Sequence, residues 1–400
     1  MSARRPLAAI LLLGALAPAA AAGHASTPLS VVLSDGEGHP STLLRVAPSE
    51  VEGQGRIRNA KTETRSAAQG LEREVRSLAA RAGVTWIGYQ VPMVAGPRQM
   101  CCFDRISDNA DSCCGTCRLE GGSGVSMNTG DSMSRRGSRI ALEPATEFLV
   151  MARLENGAVV RVRTFTPDCE IDAGALTVVW LTDVKPDDSV AWLSSIVLAS
   201  PESGEPHDRA GKTALAAIAL HNVASADRAL ESFVSAASPA RPEWLRGETA
   251  FWLGSARGDA GTRVLTRMIA QDPSEKVRDK VTFGLSVSKT PSALSALINA
   301  ARNDQSRKVR GQALFWLAQR AGKDAVATVT AAVDNDPDIE VKKKAVFALS
   351  QLPGDEGVPK LIEVARLHRS PEVRKQAMFW LGQSHDPRAI QFFEDILLKK

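Results

Sequence analysis

LRGETAFWL (residues 245–253), VRDKVTFGL (277–285), VRGQALFWL (309–317), VKKKAVFAL (341–349) and VRKQAMFWL (373–381) follow one another at a constant step of 32 residues. A fixed period of this size is the mark of a solenoid, in which each unit buries its apolar face only against its neighbours. At 100° per residue, positions 1, 5, 8, 9 and 12 of the motif share one side of a helix, so each copy predicts a helix with its packing face there. Between copies lie further helical segments, for example 262–269, 293–301 and 358–366, which makes each unit a helix pair. A degenerate earlier copy runs through 212–237, with ALAAI (214–218) in its first helix. Asp272-Pro273 and Asp336-Pro337 stop one helix and start the next. About six helix pairs are expected over residues 207–400.

The Val-Arg-x-x-Ala-x-x-x-Leu core resembles HEAT repeats, in particular the short type named after phycobilin lyases. An acidic residue stands six positions before the basic one in Asp272/Arg278, Asp304/Arg310 and Asp336/Lys342. The resemblance implies that such pairs form a ladder between neighbouring repeats. It also implies an all-α solenoid over roughly the last half of the chain, and it is weak for function because these arrays serve many roles. Deoxyhypusine hydroxylases, which share the repeat, hold two irons with His-Glu pairs. This chain contains no His-Glu dipeptide. A photosynthetic chromophore lyase is not expected outside the cytoplasm, where the N-terminal residues place this protein.

Position 7 of the motif lies nearly opposite the packing face, yet it is Phe in every copy: Phe251, Phe283, Phe315, Phe347 and Phe379. An apolar residue centred on a polar face and repeated five times calls for an explanation. Either the Phe side chains form a ladder along a concave groove, with Lys343, Lys344 and Lys375 beside it, or each wedges between repeats. Trp252, Trp316 and Trp380 recur at twice the period on position 8, with Gly284 and Ala348 between, and position 8 belongs to the packing side. Aromatic residues are only 5% of the 400-residue chain, so this regular placement is informative.

Residues 1–25 have the form of a secretory signal: Arg4 and Arg5, an apolar run from Leu7 to Leu16, then small residues offering a cleavage site. The apolar run is short for a membrane span, and the first cysteine is Cys101, so no lipid-modified Cys is expected at the cleavage site. An exported protein, in a bacterial periplasm or outside the cell, with no membrane span after signal removal, is the expectation. Export permits disulfides, and all six cysteines lie between Cys101 and Cys169. Cys101, Cys102, Cys113, Cys114, Cys117 and Cys169 are candidates for structural bridges. A thiolate metal site or a redox dithiol at Cys114-Gly115-Thr116-Cys117 are the competing readings.

Residues 26–206 read as an α+β domain carrying the Cys-rich loop. Strands are expected at 28–33, 42–46, 84–91 and 176–181, a helix over 63–81, and another from Asp187 or Asp188 to about Leu198. Two strand-like runs, 147–154 and 158–165, flank Asn156-Gly157, a turn signal for a hairpin. The acids in Asp168-Cys169-Glu170-Ile171-Asp172 are the candidate for acid–base work, but the six His are scattered and supply no partner. No phosphate-binding Gly loop, His-Glu-x-x-His or Gly-x-Ser-x-Gly occurs. No catalytic residue, cofactor or metal site is therefore expected. The net charge of +4 divides unevenly: residues 241–400 carry 26 Lys/Arg against 19 Asp/Glu, and the remainder 23 against 26. The basic residues are interleaved with acids, which argues against nucleic acid as the partner. The expectation is an exported, non-catalytic interaction protein that binds a protein or peptide through its repeats. The alternative is a thiol-redox or metal-binding module in residues 26–206, with the repeats as a docking arm.

Overall fold

A computed structural model describes residues 56–96, 100, 117–120, 145–167, 169–200, 209–237 and 240–398. The expected leader, the strands at 28–33 and 42–46, and most of the Cys-rich loop lie outside these residues. The hairpin forms as expected. β1 (Arg56–Arg58), β2 (Lys61–Ser66), β3 (Val84–Pro92) and β4 (Cys117–Arg118) precede it in the chain. β5 (Glu147–Glu155) and β6 (Ala158–Phe165) pair antiparallel, and Asn156 and Gly157 take φ of 51° and 81°, the left-handed values of a two-residue I′ turn. β7 (Glu170–Asp172) and β8 (Thr177–Thr182) follow. Five strands make a mixed sheet in the order β2-β8-β3-β5-β6, and three short parallel strands make a second sheet in the order β1-β7-β4.

β3 is central and almost wholly buried, because its two faces meet different layers. Ile87, Tyr89 and Val91 join the apolar residues of α1 (Leu71–Ala79), α2 (Pro186–Ala199) and α3 (Arg209–Leu220). Trp86 joins Leu149, Met151, Phe165, Val178 and Trp180, which pack on Leu119, Cys169 and Ile171 of the smaller sheet region. The result is a layer of helices, a five-stranded sheet and a small sheet beneath it, an α+β arrangement. The helix expected over 63–81 is corrected: residues 61–66 are strand β2, and the helix begins only at Leu71, after Gly70 with φ 111°. β2 pairs residue for residue with β8, so its backbone is satisfied by the sheet although its side chains are mainly polar. In α2, Asp187 and Asp188 lie in the first turn, where they suit the helix dipole, and Pro186 stands at the start.

The helical array continues with α4 (Ala224–Phe233), α5 (Glu243–Ala256), α6 (Gly258–Gln271), α7 (Glu275–Val287), α8 (Pro291–Asn303), α9 (Arg307–Ala321), α10 (Val326–Asn335), α11 (Ile339–Ser350), α12 (Gly354–Leu367), α13 (Pro371–Gln383) and α14 (Pro387–Leu398). The motif copies are α5, α7, α9, α11 and α13. Four of the five begin at a residue whose side chain accepts a backbone N–H of the first turn: Ser274, Ser306, Asp338 and Ser370. Positions 1, 5 and 9 are buried in every copy. Position 6 is buried as well in four of them (Ala250, Thr282, Leu314 and Val346), whereas the position-8 Trp side chains are half-buried at the rim of the core. The packing face is therefore turned toward positions 2 and 6, because each motif helix is gripped by its pair and by both neighbours. No helix among the described residues is long and apolar enough to cross a membrane.

One apolar cluster runs from the sheet, at Ile87 and Phe148, through the array to Phe392. α3 packs along edge strand β6, which shields an edge that would otherwise be open for pairing. The turn after α3 is stitched to the end of β3: Val94 N–H donates to Leu220 O (2.8 Å), and Asn222 N–H donates to Pro92 O (3.0 Å). Between α5 and α7 the backbones touch. A Cβ on Gly284 would stand 2.4 Å from Ala250 O, and one on Gly254 only 1.9 Å from Gly284 O. Glycine at both points lets these two helices approach closely.

The acid–base ladder exists, with a register of its own. The Arg at position 2 of the first three copies reaches forward to the Asp that opens the next repeat, 26 residues on. Arg246 donates to Asp272 (2.8 and 3.1 Å), Arg278 to Asp304 (2.9 and 3.1 Å) and Arg310 to Asp336 (2.8 and 3.0 Å). Toward the Asp six positions before it, Arg278 donates only to the backbone, at Asp272 O (2.9 Å), and Arg310 does the same at Asp304 O (2.9 Å). The next rung would join Lys342 and His368. There the His368 ring accepts the Ser370 N–H at 3.1 Å, as the aspartates do for their own capping turns, and the Lys342 ammonium donates to Asp334 O.

Candidate partner-binding surface

The five Phe side chains form no part of the apolar core. They stand on the far side of the motif helices, linked into a continuous ribbon by the Trp residues. Phe251 stacks on Phe283 (ring centroids 5.6 Å, planes 12° apart) and Phe315 on Phe347 (5.8 Å, 5°). Trp316 touches both Phe283 (4.9 Å) and Phe315 (4.8 Å), and so joins the two stacks. Trp380 likewise joins Phe347 (4.8 Å) to Phe379 (5.0 Å), and Trp252 meets Phe251 at 5.0 Å. Eight rings thus run without a gap across five helices. Phe283 is 37% exposed and Phe379 54%, while Phe251, Phe315 and Phe347 are half-buried. Position 8 explains the alternation: Gly284 and Ala348 leave room where α7 and α11 lie close to the preceding helix, and the large Trp fills the next step. In Phe251, Phe283, Phe315 and Phe347 the two expectations are combined, since each ring packs on a neighbouring repeat and stays partly exposed, whereas Phe379 meets only Trp380 of its own helix.

The predicted lysines sit on the same helices in different states. Lys343 donates to Glu340 at 2.8 Å, and this contact raises its pKa. Lys344 lays its stem across Gly311, where a Cβ would meet Lys344 Cδ at 2.3 Å, and makes no ion pair among the described residues; Lys375 is exposed and, behind the Ser370 hydroxyl, helps to lower the pKa of Glu372. The equivalent residue two repeats earlier, Lys280, crosses Gly247 in the same way but is paired with Glu248 at 2.9 Å. A cleft of about 440 Å³ bounded by Glu275, Arg307, Lys308, Glu340 and Lys344 opens beside these residues. Lys308 pairs with Asp279 at 2.9 Å, a contact that raises the pKa of Lys308.

The acids of 168–172 are absorbed by local structure. Asp168 lies outside the described residues. Glu170 pairs with Arg58 at 2.5 Å. Asp172 accepts the Gly174 N–H (2.8 Å) and the Asn59 amide (3.2 Å), and these bonds hold its carboxyl below the usual range. Of the cysteines, only Cys169 has a described side chain. It is fully buried between the sheets, with its sulfur 2.9 Å from Met100 O and 3.2 Å from Thr166 Oγ1.

A polar group not anticipated from the sequence lies where sheet and array meet. The Tyr89 hydroxyl is 2.8 Å from Ser189 Oγ, which is 2.9 Å from His221 Nε2, and His221 Nδ1 is 2.7 Å from Ala217 O. Phe148 meets the imidazole edge-on at 5.1 Å. All three polar side chains are sealed from solvent. Burial pushes the Tyr89 hydroxyl pKa up and the His221 pKa down to about 4, the latter helped by Arg257, which donates to His221 O at 2.8 Å. Hydroxyl and imidazole are placed as a nucleophile and base would be, but no reacting group can reach them, so the triplet is a structural lock. Its one signal in the sequence is a histidine directly after the apolar run ALAAIAL (214–220).

Comparison with known proteins matches two overlapping stretches, 294–366 and 326–400, to the HEAT repeats family. No curated protein matches. Among solved structures, the complex of CpcE and CpcF of phycocyanin lyase from Nostoc sp. PCC7120 is 22% identical over 40% of this chain and 100% of that one, with a TM-score of 0.31. Human deoxyhypusine hydroxylase is 15% identical over 52% and 89% of the two chains, with a TM-score of 0.23. The complex of Kap95p with RanGDP is 17% identical over 50% and 30%, with a TM-score of 0.33. The C-terminal helices of this chain, across 294–400, are HEAT repeats.

Proposed function

We propose that this is an exported, non-catalytic interaction protein that captures a protein or peptide along the aromatic ribbon of its repeat array. The observation that carries the reading is the unbroken line of eight rings on the side of the motif helices away from the core. Successive motif helices pack more closely than successive intervening helices, which favours the motif layer as the inner, concave one. The described sheets and α2, within residues 56–200, supply a folded cap to the first helix pair. Cys169 holds a bonded sulfur rather than a titrating thiol, which supports structural bridges in an oxidising compartment. Intact mass before and after reduction counts them, and an unchanged mass would remove the argument for export from the cysteines.

Phe315→Ala combined with Phe347→Ala tests the ribbon. Each side chain contributes about 2 kcal/mol when buried by a partner, and the stack between them about 0.5–1.5 kcal/mol within the fold. Affinity capture from the exported fraction is expected to lose the partner while the melting temperature falls only slightly. A variant that melts far lower and still retains the partner would make the ribbon a structural element and end this reading.

A further inference from the structure

We propose that the outer face of α13 and α14 binds a second copy of this chain, in a closed two-fold dimer. The face is the one that would carry a further helix pair, and the inference does not depend on what the ribbon binds.

Positions 2, 6 and 10 of a motif helix fall on one line, and in α13 all three are open where earlier copies are covered. Position 6 is buried in the four earlier copies, whereas Met378 is 36% exposed. Position 10 is glycine in α5 and α13. A Cβ on Gly254 would strike Gly284 O of α7, but one on Gly382 would meet nothing within 4 Å. At position 2, the first three copies use Nε and Nη2 of the Arg for the forward aspartate and Nη1 for backbone behind it. Arg374 keeps the second part, donating from Nη1 to His368 O (2.7 Å) and Arg369 O (3.1 Å), and makes no ion pair among the described residues. The residue 26 positions on is Lys400, a base. On α14, Leu397 is 80% exposed, although its equivalents at the 32-residue step, Ile269, Ala301, Val333 and Ala365, are all buried. Ile390, two turns earlier, is exposed as well. No described element follows α14. The pair thus keeps the stacking face of an interior unit, where a terminal unit facing water carries polar residues.

Charge selects the occupant. Glu394 lies on the same side of α14 as Ile390 and Leu397, four residues after one and three before the other. It is exposed, makes no ion pair among the described residues, and stands where the earlier repeats have Thr266, Ile298, Thr330 and Ile362. A stacking face inside the array therefore carries no charge at this point. Here the face holds both halves of an ion pair, Arg374 and Glu394, that one chain leaves open. Successive helices of a pair run antiparallel, and both residues lie in the half of the pair away from the turn at 384–386. A two-fold axis along the helices would set α13 of each copy on α14 of the other. It would bring Arg374 to Glu394 of the other copy twice, with Met378 opposite Ile390 and Leu397. A head-to-tail stack is barred, because α3 is docked on β6 and the start of the array offers no free repeat face. Contact between copies must then use the same face on both, and such a contact closes at two.

The test is analytical ultracentrifugation of the full chain from about 1 µM to about 100 µM. The mass is expected to rise to twice that of the chain. Met378→Asp with Leu397→Asp, both at exposed positions, is expected to leave a monomer whose circular dichroism is that of the folded protein. Glu394→Arg is expected to weaken dimerisation about tenfold or more. Adding Arg374→Glu to it restores opposite charges across the axis and is expected to return the affinity to within about threefold of the wild type. Arg374 also holds the backbone of its own repeat, so if the double variant melts early, Glu394→Arg alone decides the pairing. A monomer at every concentration would overturn the second copy as occupant, whatever else covers the face. A dimer that survives Met378→Asp with Leu397→Asp would overturn its placement on α13 and α14. Dimerisation unchanged in Glu394→Arg would overturn the ion pair that selects a second copy. Partner capture by the Phe315/Phe347 variant reports on the ribbon separately.

Discussion

Arg278→Ala is expected to cost the fold about 3–5 kcal/mol, the range for removing one partner of a buried ion pair. Arg278 and Asp304 are each only 5% exposed, and they meet through two parallel hydrogen bonds. The guanidinium also donates to Asp272 O and Pro273 O, the backbone at the start of its own repeat. One side chain thus fastens two repeats and caps a helix end. Truncation leaves the Asp304 carboxylate buried with only the Ser306 N–H, at 2.8 Å, to satisfy it. The comparison is Lys280→Ala, which removes a pair with Glu248 that is substantially exposed and is expected to cost less than about 1 kcal/mol. Denaturant midpoints of the two variants separate the cases. Equal, small shifts would show that the ladder adds nothing to the stability of the array.

Acid is expected to destabilise the protein through His221, by roughly 3 kcal/mol between pH 6.5 and pH 4. Above pH 6.5 the imidazole is neutral whether the chain is folded or not. As the pH falls below 6.5 the unfolded chain takes up a proton at this site, while the folded one resists until about pH 4. Stability therefore declines by about 1.4 kcal/mol per pH unit across that window and levels off below it. His221→Gln is expected to be less stable at pH 7, because the bonds to Ser189 and Ala217 O are disturbed, but to lack this slope. Parallel stability curves for the two proteins from pH 7 to pH 4 would mean that the imidazole is not the responsible group. Carboxylates that titrate in both proteins, such as Asp386, whose pKa the Arg388 side chain holds down near 2, cancel in the difference.

The array was legible because its information is periodic. Five copies of one motif specify helix, packing face and step together, and Asn156-Gly157 specified the hairpin by a rule almost as local. What escaped depended on partners distant in sequence. Glu63–Ser66 looked like the start of a helix, because the mainly polar side chains of this strand hide that its backbone pairs with β8, more than a hundred residues away. In a 32-residue repeat an Asp six positions before one Arg is also 26 positions after the previous Arg, so spacing could not say which pair forms. Only the geometry picks the second. The helical wheel put Phe and Trp on different sides of one helix, which is true of an isolated helix. The ribbon appears only when the next helix is laid beside it and Trp316 bridges Phe283 to Phe315. His221 was one of six scattered histidines until the fold brought Ser189 and Tyr89 to it.

The docking of α3 on β6 has a consequence for modularity. That side of the helical row is occupied, so another helix pair could enter between existing pairs or beyond α14, but not ahead of α3 without displacing the sheet. Insertion of one 32-residue unit within the array would move every later rung outward by one place and lengthen the ribbon. The polar junction around His221 would keep its neighbours. Length of grip and attachment of the array are thus separately adjustable properties, and the sheet is the fixed origin from which the rungs are counted.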